Sequence, residues 1–174
     1  MSDRDAILAA ITDRPAPFHT GAVHPARQLG DDLWAQFQTH LEALGGRMID
    51  RAEFESRTNA GRWADPATGY ESTAASPWDA EVGVSLAVAA IAQTGTLVFA
   101  AGPDGYRLSS LAPPTNLVVV DRSAIVSTLA DALAKLPSRT TVFVTGPSRT
   151  ADIEGVMVRG VHGPGELLVW VRDS

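Results

Sequence analysis

Apolar residues recur at helical spacing in two parts of the chain. They are Leu33, Phe37, Leu41 and Leu44 in the first part and Ile125, Leu129, Leu133 and Leu136 in the second. A spacing of three or four residues places such side chains on one face of a helix. The first set predicts an amphipathic helix over residues 31–44 that stops at Gly45-Gly46, and the second predicts a helix that ends at Pro137.

Shorter runs of β-branched and other apolar residues predict strands. These runs are residues 47–49, 81–84, 96–101, 116–120, 140–145 and 166–171. Strands that alternate with helices are typical of an α/β domain with a largely parallel sheet. We therefore expect residues 31–174 to form a single α/β domain, and residues 1–30 to form a short N-terminal helix followed by an extended arm.

Two regions depart from this alternation. Residues 82–103 contain no charged residue, which is long enough to suggest a membrane helix. Because the polar group Gln93-Thr94-Gly95-Thr96 lies in the middle of that stretch, a short helix, a turn and a buried strand are the better prediction. Residues 57–77, rich in Gly, Ala, Ser, Thr and Pro, are predicted to be irregular.

Composition narrows the range of functions. The net charge of −6 argues against nucleic acid and against an anionic membrane as the main partner. The chain has no cysteine, so it cannot hold an iron–sulfur cluster through its own thiolates. His19, His24 and His40 lack metal-ligand spacing, and we expect neither a metal nor a cofactor held by this chain. The N-terminus lacks a secretory pattern, which favours a cytoplasmic protein.

The segment 142–150 carries the clearest chemical pattern. An apolar run is broken by Gly146-Pro147, after which Ser148 or Thr150 can cap a helix over residues 151–154. A helix N-terminus of this kind attracts anions. The alternative is an ordinary strand-to-helix turn whose hydroxyls bond only their own backbone.

Ligands of parallel sheets bind beyond the carboxyl ends of the strands, which points to the loops 102–110 and 146–150. The candidate ligand-binding residues there are Arg107, Ser109, Ser148, Arg149 and Thr150. Arginines, hydroxyls and helix amides together suit a carboxylate or a phosphate. Arg149 could instead pair with Asp152 or Glu154 on an exposed turn.

Two further motifs precede strands and are predicted at the opposite edge of the sheet. They are Thr94-Gly95-Thr96 and the loop 161–164. Either one strand runs antiparallel, or these motifs are structural or belong to a homo-oligomer contact. His162 in the second motif has a reference pKa suited to acid–base chemistry, although a backbone hydrogen bond is an equal alternative. Thr94, Gly95 and Thr96 are kept as candidate ligand-binding residues; the alternative is that the two threonines serve first to form the turn around Gly95.

No nucleotide-binding, zinc-protease or serine-hydrolase motif is present, but four ordered blocks resemble a known family. They are Ala-Ala-Ile-Ala-Gln-Thr-Gly-Thr-Leu-Val at 89–98, Leu-Ser-Ser-Leu-Ala-Pro-Pro at 108–114, Gly-Pro-Ser-Arg-Thr-Ala-Asp-Ile-Glu at 146–154 and Gly-Val-His-Gly-Pro-Gly-Glu-Leu at 160–167. Together they resemble the LUD-domain family, the group that includes lactate-utilisation protein C. The resemblance implies a three-layer αβα architecture like the NagB/RpiA/CoA-transferase fold, and a connection to lactate oxidation.

The chain departs from the family pattern at three positions. Gln93 stands where the family has a glutamate, Val88 stands at an acidic position, and Asn116 stands where a histidine often follows the Pro-Pro segment. Since glutamine cannot accept a proton as a carboxylate does, a general-base role at Gln93 is in doubt.

These observations favour an accessory component of lactate or related 2-hydroxy-acid oxidation that binds a small carboxylate or phosphate. Arg107 and Arg149 would hold the carboxylate, the hydroxyls would orient it, and His162 would carry a proton. Iron–sulfur protein subunits would then supply the redox centres. The alternatives are a stand-alone enzyme of the isomerase or acyl/CoA-transfer type and a structural interaction module.

Overall fold

The computed structural model describes residues 32–100, 106–136, 140–151 and 157–173. The expected N-terminal helix and arm, residues 1–30, lie outside the described residues, as do Asp152 and Glu154. The helices are α1 (Leu33–Ala43), α2 (Arg51–Thr58) and α3 (Leu129–Lys135). The strands are β1 (Arg47–Met48), β2 (Arg62–Ala64), β3 (Val82–Ala87), β4 (Ala89–Ile91), β5 (Thr96–Ala100), β6 (Thr115–Asp121), β7 (Ile125–Val126), β8 (Thr141–Val144), β9 (Arg149–Ala151), β10 (Met157–Arg159) and β11 (Glu166–Arg172).

The main sheet has five strands in the order β1-β11-β6-β3-β2. Every neighbouring pair in it is parallel. The predicted α/β class with a largely parallel sheet is therefore confirmed. Because both faces of this sheet are covered, its central strands are buried nearly throughout, as in β6 with Leu117, Val118, Val119 and Val120.

A second sheet of four strands, in the order β7-β4-β5-β8, packs on the first. Strands β4 and β7 are parallel, whereas β5 runs antiparallel to both β4 and β8. The expectation that residues 96–101 and 140–145 belong to the parallel sheet was wrong. Local sequence could not show this, because a short apolar run fits either pairing.

The core lies in layers on either side of these sheets. Leu97 and Phe99 of the second sheet pack against Val118 and Val169 of the first, together with Phe37 of α1. A second cluster, which includes Phe54 of α2 as well as Leu117, Val119 and Leu168, covers the other face of the parallel sheet. A third and smaller cluster, including Ala132 and Val98, joins α3 to the outer face of the second sheet.

Helix α1 is the best-predicted element. Asp32 caps it by accepting from the amide of Ala35 at 3.0 Å, and Gly45 follows it with a φ of 90°. Helix α3 is shorter than predicted, because Ile125 lies in strand β7 and Thr128 begins the helix with a capping box. Helix α2 and strand β2 replace part of the region expected to be irregular.

Two other predictions were wrong. Ala151, expected to begin a helix over residues 151–154, is the last residue of β9, which pairs antiparallel with β10; residues 152–154 lie outside the described residues. The segment after residue 82, where a short helix was expected, forms the two strands β3 and β4. Within the described part of the chain, no helix has the length and apolar character needed to span a membrane.

Candidate functional site

A cavity of about 270 Å³ opens beside strand β8, at the margin between the two sheets. It is lined by Ser110, Leu111, Asn116, Val142, Phe143, Val144, Thr145, Gly146, Ser148, His162, Gly163, Pro164 and Leu167. We call it the margin cavity. Its volume is at the small end of metabolite sites, and its walls combine apolar side chains with a few polar groups, as is usual for such sites.

The strand directions explain why these segments meet. Strand β8 is antiparallel to β5, and Val144 at its end lies opposite Leu97. The residues that follow β8 therefore lie next to the amino ends of β6 and β11, where Asn116 pairs with Leu167. Residues after β8 and residues before β11 were expected at opposite edges of the sheet, and this expectation was wrong. They lie together because one strand runs antiparallel, which was one of the alternatives left open by the sequence.

Ser148 and His162, predicted from separate motifs, both line the margin cavity. The backbone holds their loops together, since Ser148 N donates to Pro164 O at 2.8 Å and Gly160 N donates to Ser148 O at 3.1 Å. A Cβ on Gly163 would lie 3.3 Å from the Cβ of Ser148. Half-buried Ser148 and exposed His162 thus stand on adjoining backbone at the mouth of the cavity.

A polar group lies deeper, at the start of β6. Ser85 Oγ donates to Asn116 Oδ1 at 2.9 Å and lies 3.1 Å from Ser109 Oγ. All three residues are buried, with exposed fractions of 1%, 1% and 2% for Ser85, Asn116 and Ser109. Ser109 is thus tied to the strand below the cavity, while its neighbour Ser110 lines the cavity itself.

The remaining residues predicted after the strands lie elsewhere. Arg107 is exposed on a short 3₁₀ helix, and it does not line the margin cavity. Arg149 donates through Nη2 to the carbonyl of Leu44 at the end of α1. Thr150 pairs with Val158 in the β9–β10 hairpin. Residues 149–151 form a strand where the anion-binding helix was expected to begin, and residues 152–154 lie outside the described residues.

Thr94 and Thr96 line a second cavity, between β8 and α3, with Ile91, Leu129, Leu133, Phe143 and Thr145. Their hydroxyls form a chain, with oxygen separations of 2.7 Å from Thr94 to Thr96 and 2.8 Å from Thr96 to Thr145. Thr145 and Phe143 also line the margin cavity, so the two cavities adjoin there. Gly95 packs against the backbone of α1 and has a structural role in the turn.

The charged groups at the amino end of β11 face away from the margin cavity. Glu166 Oε2 accepts from Thr115 Oγ1 at 3.1 Å and lies 3.5 Å from Arg57 Nη1 on α2. Since successive strand residues face opposite sides, Glu166 lies on the α2 side and Leu167 lies on the cavity side. Among the described residues, no group of three or more His, Asp or Glu could hold a metal ion.

Asn116 and Ser110 were missed as site residues. Ser110 adjoins the predicted Ser109 in the Leu-Ser-Ser block, so the block itself was the available signal. Asn116 had been noted only as a departure from the family pattern. Its signal was its position directly before the apolar run 117–120 in a predicted buried strand, because a buried polar side chain requires a partner.

The comparisons with known proteins identify the family. Residues 42–171 match the LUD domain, and the chain belongs to the LUD-domain family. It is 34% identical over 164 residues to lactate utilization protein C of Bacillus licheniformis, an alignment covering 89% of this chain and 64% of that protein. It is 33% identical over 153 residues to the uncharacterized protein YkgG of Escherichia coli K12, covering 82% of this chain and 64% of that protein.

This chain therefore spans less than two thirds of the length of these relatives. A crystal structure of a DUF162 family protein from Deinococcus radiodurans shares the fold, with a TM-score of 0.60 and 21% identity, and covers 83% of this chain and 99% of the other. The predicted resemblance of the fold to the NagB/RpiA/CoA-transferase-like group stays a prediction.

Proposed function

We propose that this protein serves lactate utilisation by binding a small carboxylate or phosphate in the margin cavity, as an accessory component without a redox centre of its own. The supporting observation is that Ser148 and His162, chosen from two separate family blocks, lie on one cavity of metabolite size. The name of the Bacillus licheniformis relative supplies the pathway.

In this proposal the residues at the mouth act directly on the anion. The hydroxyl of Ser148 donates a hydrogen bond to it, and His162 donates a second one and carries a proton. A protonated imidazole adds charge to that hydrogen bond, which strengthens it. Arg107 and Arg149 stay the predicted cations of the site; both are exposed, and Arg149 would have to exchange its hydrogen bond to Leu44 O for one to the ligand.

The redox chemistry would then belong to other subunits. The chain has no cysteine for an iron–sulfur cluster, so we expect iron–sulfur protein partners to accept the electrons, in the cytoplasm. The purified chain should be colourless and should not oxidise lactate by itself.

Calorimetric titration with lactate, pyruvate and phosphate tests the binding proposal. We expect at least one of these anions to bind, and Ser148→Ala and His162→Gln each to weaken that binding by about 3- to 10-fold, the scale of one lost hydrogen bond. The matched control is Ser56→Ala, since Ser56 lies exposed on α2 at the other face of the parallel sheet. Wild-type affinity retained in both cavity variants would reject the site, and the absence of binding by all three anions would reject the ligand class.

A further inference from the structure

Asn116 carries a hydrogen-bonding group that the fold leaves unpaired. The residue is 1% exposed and lines the margin cavity. Its Oδ1 accepts from Ser85, but Nδ2 has no hydrogen-bond acceptor within the described residues. A buried donor without a partner is unfavourable, because it has lost its water and gained nothing in exchange.

The neighbours of Asn116 in the sheet cannot supply the missing acceptor through their side chains. Its partners across the strands are Gly83 on one side and Leu167 on the other. The space above Gly83 is filled by the backbone of the 3₁₀ helix, since a Cβ there would lie 1.7 Å from Ser109 O. Leu167 is apolar and lines the margin cavity. Asn116 lines the margin cavity, so an acceptor bound there would approach the side chain from this space.

We propose that Nδ2 of Asn116 donates a hydrogen bond to an uncharged oxygen of the ligand, so that the margin cavity selects short carboxylic acids that carry a second oxygen, such as 2-oxo or 2-hydroxy acids. This inference rests on the proposed function, to which it adds a specificity-determining residue and a substrate class. A keto or hydroxyl oxygen accepts from a neutral amide without bringing a charge into the protein.

The burial of the cavity lining sets the orientation of the ligand. A carboxylate placed against buried Asn116 would lose its hydration with no described cation beside it, which is costly. At the mouth, His162 is exposed and Ser148 is half-buried, so the carboxylate keeps water and gains two donors there. The carbon atoms then contact Val142, Val144 and Leu167 along the wall.

The test compares pyruvate and lactate with propionate, which has the carboxylate but lacks the second oxygen. We expect the wild-type protein to bind pyruvate or lactate about 3- to 10-fold more tightly than propionate. In Asn116→Leu this preference should disappear, because the amide that distinguishes the ligands is absent.

Nuclear magnetic resonance of the ¹⁵N-labelled wild-type protein gives a second readout, which does not depend on whether a variant folds. The chain has two asparagines, Asn59 and Asn116. The side-chain amide signals of Asn116 should shift saturably with pyruvate, whereas those of exposed Asn59 should not move and serve as the internal control. Acetamide, a neutral carbonyl compound, is titrated in parallel.

The outcomes separate the two proposals. If pyruvate and propionate bind equally and the Asn116 signals do not respond, the inference is rejected while anion binding stands. If no anion binds but acetamide shifts the Asn116 signals, the donor role stands and the proposed function is rejected. If neither an anion nor acetamide has any effect, both are rejected.

Discussion

At the scale of single residues, Gly95 shows how closely the second sheet approaches α1. Its φ is +63°, a conformation that residues with a Cβ rarely adopt. A Cβ built there would lie 2.4 Å from Leu41 N and 2.6 Å from the carbonyl carbon of His40. Nearby, Nδ1 of His40 lies 2.7 Å from Ala92 O. The turn before β5 and the last turns of α1 are thus in backbone contact.

Gly95→Ala should therefore be strongly destabilising. The left-handed backbone alone costs about 1–2 kcal/mol for a residue with a Cβ, and the overlap with α1 adds to that cost, because backbone cannot move aside as a flexible side chain can. Gly69→Ala is the matched control, since Gly69 has a φ of +82° with nothing within 4 Å of the added Cβ. Urea unfolding should show a larger loss for Gly95→Ala; equal losses would mean that the contact with α1 is easily relieved.

Arg149 has a structural contact that its predicted ligand role did not include. Its guanidinium donates to the carbonyl of Leu44, and a cation at the carboxyl end of a helix interacts favourably with the helix dipole. A Cβ built on Gly45 would lie 2.7 Å from Nη2 of the same guanidinium. The glycine after α1 is needed for its φ of +90°, whereas the flexible Arg149 side chain could move aside for an added Cβ.

At the scale of elements, helix α2 is tied to the parallel sheet by a two-pronged ion pair, in addition to the pair between Arg57 and Glu166. Arg47 on β1 donates to the carboxylate of Glu53 at 2.9 and 2.6 Å. The hydrogen bond from Arg47 and its positive charge lower the pKa of Glu53 below its ordinary value of 4.5. Because the folded-state pKa is the lower one, the pair stabilises the protein above about pH 4.5 and loses this effect as the pH falls through the lowered pKa.

Glu53→Gln should remove that pH dependence. At pH 7 the variant should melt at a slightly lower temperature than wild type, because the side chains are half-exposed and such pairs are weak. As the pH falls below 4.5 and through the lowered folded-state pKa, the difference should shrink, because the wild-type carboxylate becomes protonated. Glu55→Gln is the control, since its pair with Arg51 lies within α2 and does not join two elements. A melting difference that stays constant from pH 7 to pH 3 would contradict this account.

The helices show when the local sequence pattern is sufficient to predict an element. Helix α1 was predicted because four apolar positions, a polar cap and a terminal glycine all agreed. Helix α2 was missed because Phe54 and Thr58 are its buried residues, too few to establish a period. Its cap was nevertheless visible in the sequence, since Asp50 accepts from the amide of Glu53 three residues later.

The wrong predictions concern segments whose structure is determined by strands that lie elsewhere in the sequence. The segment Ser148–Thr150 carries capping residues, yet Arg149–Ala151 extends because Met157–Arg159 pairs with it. The alanine-rich stretch after residue 82 favours a helix by propensity, but pairing with β6 and β5 makes it β3 and β4. For the site, the loops of Ser148 and His162 could be chosen from the sequence. For Asn116 the sequence showed a polar residue in a predicted strand, but not its buried partner Ser85, which is 31 residues away.

At the scale of the whole molecule, the margin cavity adjoins the core layer between the two sheets. Val142 and Val144, which line it, also pack against the cluster between the two sheets, as does Leu167. The cluster around Phe54 lies on the far face of the parallel sheet, where Phe54 contacts Tyr70 and Trp170 at ring distances of 5.7 and 5.0 Å. Changes in these two layers should therefore affect ligand binding differently.

Leu97→Val and Phe54→Leu test this separation. Each variant loses part of a fully buried side chain and should destabilise the protein by roughly 1–2 kcal/mol, the scale of one to three carbon atoms. Leu97 lies opposite Val144 in the second sheet, so its truncation should loosen the cavity wall and weaken pyruvate binding by about 2- to 5-fold, the effect of a fraction of a kcal/mol. Phe54→Leu should lose similar stability with unchanged affinity, because the parallel sheet stands between it and the cavity. Thermal melts paired with calorimetric titration of both variants decide the matter: an equal loss of affinity in the two would show that binding follows overall stability and not the layer between the sheets.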